Sequence, residues 1–141
     1  MRKTLLLSLC IAQVTIACGL HGAAGTSLAY AYRGFDSNSV EIVNGTLQIA
    51  IDSSNRVSGR WEFKSVNAAK NIGPQTGSGK LRGRVDANTV KLDLNPGVAD
   101  NNIQLEGVMT VTKLTGTWGW NGFAGRIKGG KFEALRISTR S

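Results

Sequence analysis

Val57-Ser-Gly59-Arg-Trp61, Leu81-Arg-Gly83-Arg-Val85, Leu105-Glu-Gly107-Val-Met109, Leu114-Thr-Gly116-Thr-Trp118 and Phe123-Ala-Gly125-Arg-Ile127 are five copies of one pattern: a glycine with a bulky apolar residue two positions away on each side. The side-chain period of a β-strand is two, so each glycine shares a face with both apolar residues. Glycine weakens a strand unless a bend or a crowding neighbour needs the space. Its recurrence in strand after strand predicts a sheet coiled hard enough to close into a small barrel.

The segments between these copies extend the same alternation. Leu47, Ile49 and Ile51 share one face, and Val57, Gly59, Trp61 and Phe63 share another, opposite Ser58, Arg60, Glu62 and Lys64. Leu81, Gly83 and Val85 alternate with Lys80, Arg82 and Arg84, and Val90, Leu92 and Leu94 alternate with Lys91 and Asp93. Ile103 to Val111, Leu114 to Trp120 and a last strand from Phe132 to near Ile137 follow, with Leu28–Gly34 and Val40–Val43 as opening strands. Turn residues punctuate them: Ser53-Ser54-Asn55, Asp86-Ala87-Asn88, Asn95-Pro96-Gly97, Asn121-Gly122 and Gly129-Gly130. The expected fold is therefore all-β, a single antiparallel up-and-down barrel of about eight strands. The first three copies recur every 24 residues, a hairpin rhythm that the later copies break, which excludes a solenoid.

The amino terminus reads as an address. Arg2 and Lys3 precede a largely apolar run from Thr4 to Ala17, and a small-residue segment from Gly19 to Gly25 follows. That is the layout of a secretory signal, too short in its apolar part to span a bilayer. Two cleavage readings compete. Gly22-Ala23-Ala24 suits a general signal peptidase, giving a signal of residues 1–24 and a mature domain of 25–141. Thr15-Ile16-Ala17-Cys18 resembles a lipobox, which would make Cys18 a lipidated amino terminus after a signal of residues 1–17. Both readings place the protein outside the cytoplasm, periplasmic or secreted.

Past residue 24 the chain holds neither cysteine nor histidine: Cys10, Cys18 and His21 all precede it. This excludes disulfides, Cys nucleophiles, Ser-His-Asp triads, His bases and imidazole or thiolate metal sites from the domain. No catalytic residue, metal site or cofactor is expected, and the protein reads as a non-enzyme. Asn95–Asn102 has calcium-type oxygens without the alternating acids of a calcium loop, and reads as a turn. Asn44-Gly45-Thr46 matches a glycosylation sequon, in a chain whose signal looks bacterial.

From Gly25 onward fifteen Lys and Arg face nine Asp and Glu, a net charge of +6. Arg60, Lys80, Arg82, Arg84 and Lys91 project outward from three consecutive strands and form a candidate basic wall for an anionic envelope component or protein. The wall lacks outward aromatics for base stacking, which counts against single-stranded nucleic acid. A solvated face, partly offset by Glu62 and Asp93, is the plainer reading.

Trp61, Trp118 and Trp120 fall on inward positions, and Phe123 follows at a turn. These four are the candidate ligand-binding residues for an apolar or amphipathic small molecule. The competing reading is that they fill the core of a narrow barrel. Residues Ser65–Ser78 lack alternation and form a long loop of the kind that carries function.

Leu114-Thr-Gly-Thr-Trp118, with a second Gly-x-Trp at Gly59-Arg60-Trp61, resembles the strands of avidin-type and lipocalin-type barrels. The resemblance implies an eight-stranded up-and-down barrel that holds a small ligand in its mouth. In those families the Gly-x-Trp lies on the first strand, whereas here it lies mid-chain and late, so no ligand-contacting residue carries over. A structural or inhibitory barrel acting through its surface is the alternative.

Overall fold

A computed structural model describes residues 26–70 and 72–137. The signal segment, with Cys18 and the lipidation reading, lies outside the described residues. Eight strands run in order: β1 (Thr26–Phe35), β2 (Glu41–Ile51), β3 (Arg56–Ser65), β4 (Gly77–Asp86), β5 (Thr89–Asp93), β6 (Asn102–Met109), β7 (Lys113–Gly122) and β8 (Gly125–Ile137). Each pairs antiparallel with its sequence neighbour, and β1 pairs with β8 to close the barrel. The expected all-β, eight-stranded antiparallel up-and-down barrel is what forms.

Closure buries the inward face of every strand. Tyr32, Leu47, Ile49, Trp61, Phe63, Leu81, Leu92, Leu94, Ile103, Leu105, Leu114, Trp118 and Phe132 make one core. The glycines explain how so many large side chains fit. Trp61 lies opposite Gly79, Trp118 opposite Gly130, Phe63 opposite Gly45 and Gly77, and Phe132 opposite Gly34 and Gly116. An eight-stranded barrel is just wide enough for side chains to fill, so a large ring on one strand needs an absent one on the next. A Cβ at Gly79 would lie 2.9 Å from the Trp61 indole nitrogen. The rings then stack among themselves: Tyr32 on Phe63 at 4.1 Å between centroids, Tyr32 near Phe132 at 5.7 Å, and Trp61 tilted on Phe63 at 5.2 Å.

Two sequence expectations change. The opening strand expected at Val40–Val43 starts at Glu41 and runs on through Leu47–Ile51 as one strand, β2, because Asn44-Gly45-Thr46 continues the pairing with both neighbours. The fifth copy of the glycine pattern is not an inward triplet: Gly125 opens β8 at φ +114°, and Phe123 and Ile127 are exposed. A register shift at Trp120/Asn121, next to the β7–β8 turn, breaks the alternation there. The long loop expected at Ser65–Ser78 forms between β3 and β4, at residues 66–76, and it buries Ile72 and Gln75.

Candidate functional site

The up-and-down order gives the barrel two unlike ends. One end gathers the β1–β2 turn, loop 66–76, loop 94–101 and the β7–β8 turn. The other gathers the β2–β3, β4–β5 and β6–β7 turns with the start of β1 and the finish of β8.

The first end is capped. Loop 66–76 leaves β3 through a hydrogen bond from Val66 N to Ile42 O at 2.9 Å and folds inward. Gly73, at φ +67°, lies so close to the Trp120 indole that a Cβ would meet it at 2.7 Å. Trp120 Nε1 in turn donates to Asn101 Oδ1 at 2.8 Å, and Phe123 N donates to Asp100 Oδ1 at 2.8 Å. Trp120 thus links loop 66–76 to loop 94–101, which Asp100 ties to the β7–β8 turn. Asn67 and Ala68 also adopt positive φ, at 53° and 51°. Left-handed backbone at a non-glycine residue costs about 1–2 kcal/mol, which leaves this cap less stable than the barrel wall.

Beneath and beside the cap lie three buried polar atoms without a hydrogen-bond partner among the described residues: Tyr32 Oη, Gln75 Oε1 and Asn102 Oδ1. Gln75 uses its other atom, Nε2, on Ile72 O at 2.6 Å, and Asn102 Nδ2 reaches Val98 O at 3.4 Å. Burial raises the Tyr32 phenol far above its ordinary range, so it stays neutral. Each unsatisfied buried group costs about 1–3 kcal/mol, and such a group in a native fold calls for an explanation.

The structure splits the four candidate ligand residues. Trp61 and Trp118 sit in the core, 4% and 0% exposed, and each spends its indole N–H on a backbone carbonyl: Leu94 O and Phe35 O, both at 2.7 Å. Trp120 sits half-buried at the capped rim. Phe123 is 91% exposed in the β7–β8 turn, away from the interior. The sequence missed Tyr32, Gln75 and Asn102. Tyr32 had a findable signal, since it lies on the inward parity of the opening strand; Gln75 lies inside loop 66–76 and Asn102 follows loop 94–101, where period-two reading stops.

The five basic candidates converge on the outer face of β3, β4 and β5. Arg60 lies directly opposite Lys80, and Arg84 lies between Arg56 and Lys91. Lys91 pairs with Glu106 at 3.0 Å and Arg56 with Asp52 at 3.6 Å. Shallow outer grooves of about 440 and 290 Å³ run between these strands, the first flanked by Arg60 and Lys80, the second by Arg82, Arg84 and Lys91. No cluster of three or more His, Cys, Asp or Glu suited to a metal ion occurs among the described residues. Nor is any described helix long and apolar enough to cross a membrane.

The second end is a cleft of about 730 Å³ lined by Leu28, Tyr30, Ile51, Met109, Val111 and Arg136 with turn residues of β4–β5 and β6–β7.

The protein is a small closed antiparallel barrel with one capped and one clefted end. Its fold is shared with rhizavidin. The rhizavidin–biotin complex superposes with a TM-score of 0.54 at 20% identity, over 84% of this chain and 98% of that one. Rhizavidin without a named ligand gives the same TM-score and identity over 84% and 87% of the two chains. Apo afifavidin gives 0.49 at 14% identity, over 80% and 83%. The rhizavidin matches make the resemblance to avidin-type barrels one of fold. No family model matches the sequence. No curated protein matches it either.

Proposed function

We propose that this protein is an exported, non-enzymatic binding barrel of the bacterial envelope that holds a small molecule at its capped end, beneath loop 66–76. The observation that carries the reading is the set of buried atoms Tyr32 Oη, Gln75 Oε1 and Asn102 Oδ1 at that one end, without a hydrogen-bond partner among the described residues. Two of them are amide oxygens, so the ligand presents N–H or O–H donors to them; its apolar body packs on the aromatic layer of Tyr32, Phe63 and Phe132. Loop 66–76 opens to admit it, at the cost of uncovering Ile72 and parting Gly73 from Trp120. A solved biotin complex on the same fold supports a small molecule as the ligand class; at 20% identity it does not choose the molecule. Export rests on the Arg2-Lys3 and Thr4–Ala17 layout, with Cys18 as the alternative lipid anchor.

The test is tryptophan emission during titration with biotin and with small-molecule fractions of the host envelope. Trp120 reports lid opening, so emission shifts in the wild type and not in Trp120→Phe. An unchanged spectrum with every fraction, in a protein that melts normally, counts against the reading.

A second reading has its own observation. Arg60 facing Lys80, and Arg84 between Arg56 and Lys91, crowd like charges that an anionic surface would neutralise. Arg82→Glu with Arg84→Glu should then remove binding to vesicles containing anionic phospholipid without lowering the melting temperature.

A further inference from the structure

The clefted end carries a site of its own. Phe132, Ala134 and Arg136 share one parity on β8, and the first two are buried in the core. Arg136 therefore continues the inward face at the rim, opposite Tyr30 on β1. A guanidinium has five N–H donors. Among the described residues, one of the Arg136 side-chain nitrogens, Nη1, donates to Val111 O at 3.2 Å, and no carboxylate lies within 4.0 Å of the group. Its charge is felt inside the cleft: burial raises the Tyr30 phenol pKa, and Arg136 opposes that rise. Leu28, Ile51 and Met109 from the strand ends, Ala87 from the β4–β5 turn and Val111, 79% exposed, from the β6–β7 turn make the lining mainly apolar, with Asn88 and Thr110 as its uncharged polar residues. A volume of about 730 Å³ falls within the usual ~300–1,000 Å³ of small-molecule sites.

We infer that this cleft is a second binding site, for an amphipathic monocarboxylate, with the Arg136 guanidinium taking the carboxylate and Leu28, Ile51 and Met109 taking the hydrocarbon chain. Arginine matches a carboxylate with two parallel N–H donors, and a mainly apolar cleft with a guanidinium at its rim selects an anion with a tail. A free carboxylate held by hydrogen bonds needs no covalent step. The site is at the opposite end from loop 66–76 and stands whether or not the capped end binds a ligand.

The experiment is calorimetric titration of the mature protein with dodecanoate below its micelle concentration and with dodecanol below its solubility limit. Dodecanoate binds at least about tenfold more tightly than dodecanol. Arg136→Gln removes that preference and leaves dodecanol affinity unchanged, while Met109→Trp, which fills the cleft, weakens both. If Met109→Trp melts early, Ile51→Phe serves as the filling variant. Gln75→Ala, at the capped end, leaves dodecanoate affinity intact and so separates this site from the one proposed above. Absence of dodecanoate binding, equal affinity for acid and alcohol, or an undiminished preference in Arg136→Gln overturns the inference.

Discussion

Asn102→Leu should stabilise the protein while weakening its ligand. Asn102 is 5% exposed at the start of β6, with Oδ1 unpartnered among the described residues and Nδ2 at 3.4 Å from Val98 O. That bond is long for an N–H donor, so its loss costs well under ~1 kcal/mol. Val98 is itself half-exposed, which lets its carbonyl turn to water. Removing the stranded amide oxygen recovers about 1–3 kcal/mol. The net is a gain of about 1–2 kcal/mol in the ligand-free protein. Unfolding entropy near 2.1 cal/mol/K per residue puts 1 kcal/mol at about 4 °C for a domain of this size. Differential scanning calorimetry should therefore show a melting temperature raised by about 4–8 °C. Asn102→Asp is the control: it buries an unpaired charge and should melt well below the wild type. In the same Asn102→Leu protein, affinity for the capped-end ligand should fall at least about tenfold, since a hydrogen bond to a buried acceptor is lost. A lower melting temperature for Asn102→Leu would mean that Oδ1 is already satisfied in the free protein, and the reasoning that makes it a ligand contact would fail.

The other predictions follow the same structure. Gly79→Ala places a Cβ 2.9 Å from Trp61 Nε1, which forces the ring off its bond to Leu94 O; a loss of about 1–3 kcal/mol and altered tryptophan emission are expected, and an unchanged melting curve would contradict the ring-against-glycine account. Arg84→Glu replaces a like-charge neighbour of Arg56 and Lys91 with an opposite one, so stability should rise by a few tenths of a kcal/mol and retention on a cation exchanger should drop. Arg33 donates to Glu41 Oε2 from Nε at 2.8 Å and from Nη2 at 2.5 Å, and this holds the Glu41 carboxyl below its ordinary 4.5. The pair's contribution is therefore full above 4.5 and lost as acid is added through the lowered folded value. Urea midpoints measured from pH 6 downward should fall less steeply in Glu41→Gln than in the wild type.

How far the sequence led depends on how local the signal is. Leu81-Arg-Gly83-Arg-Val85 and Leu114-Thr-Gly116-Thr-Trp118 carry their own faces in a period of two, so strand number, direction and inward residues were legible. What the glycines accommodate was not, because Gly79 answers to Trp61 on the next strand and Gly130 to Trp118, pairings that exist only in register. Phe123 misled for a local reason: the shift at Trp120/Asn121 ends the alternation just before it. Gln75 and Asn102 could not be read from pattern at all, since an irregular loop folded into the barrel end buries the first and Asn102 sits where loop 94–101 meets β6. Arg136 was within reach, as the parity of Phe132 and Ala134 extends to it, but a charge at the end of a strand reads as solvent-facing until closure against β1 sets it across from Tyr30.

The central claim, a small molecule held by this barrel, is tested most directly by native mass spectrometry of the protein isolated from its own host envelope. The account predicts an adduct that survives gentle ionisation, leaves on denaturation, and is lost in Asn102→Leu. A bare polypeptide mass in the wild type, from material that is folded and never denatured, would contradict it and leave the basic outer face of β3, β4 and β5 as the working surface.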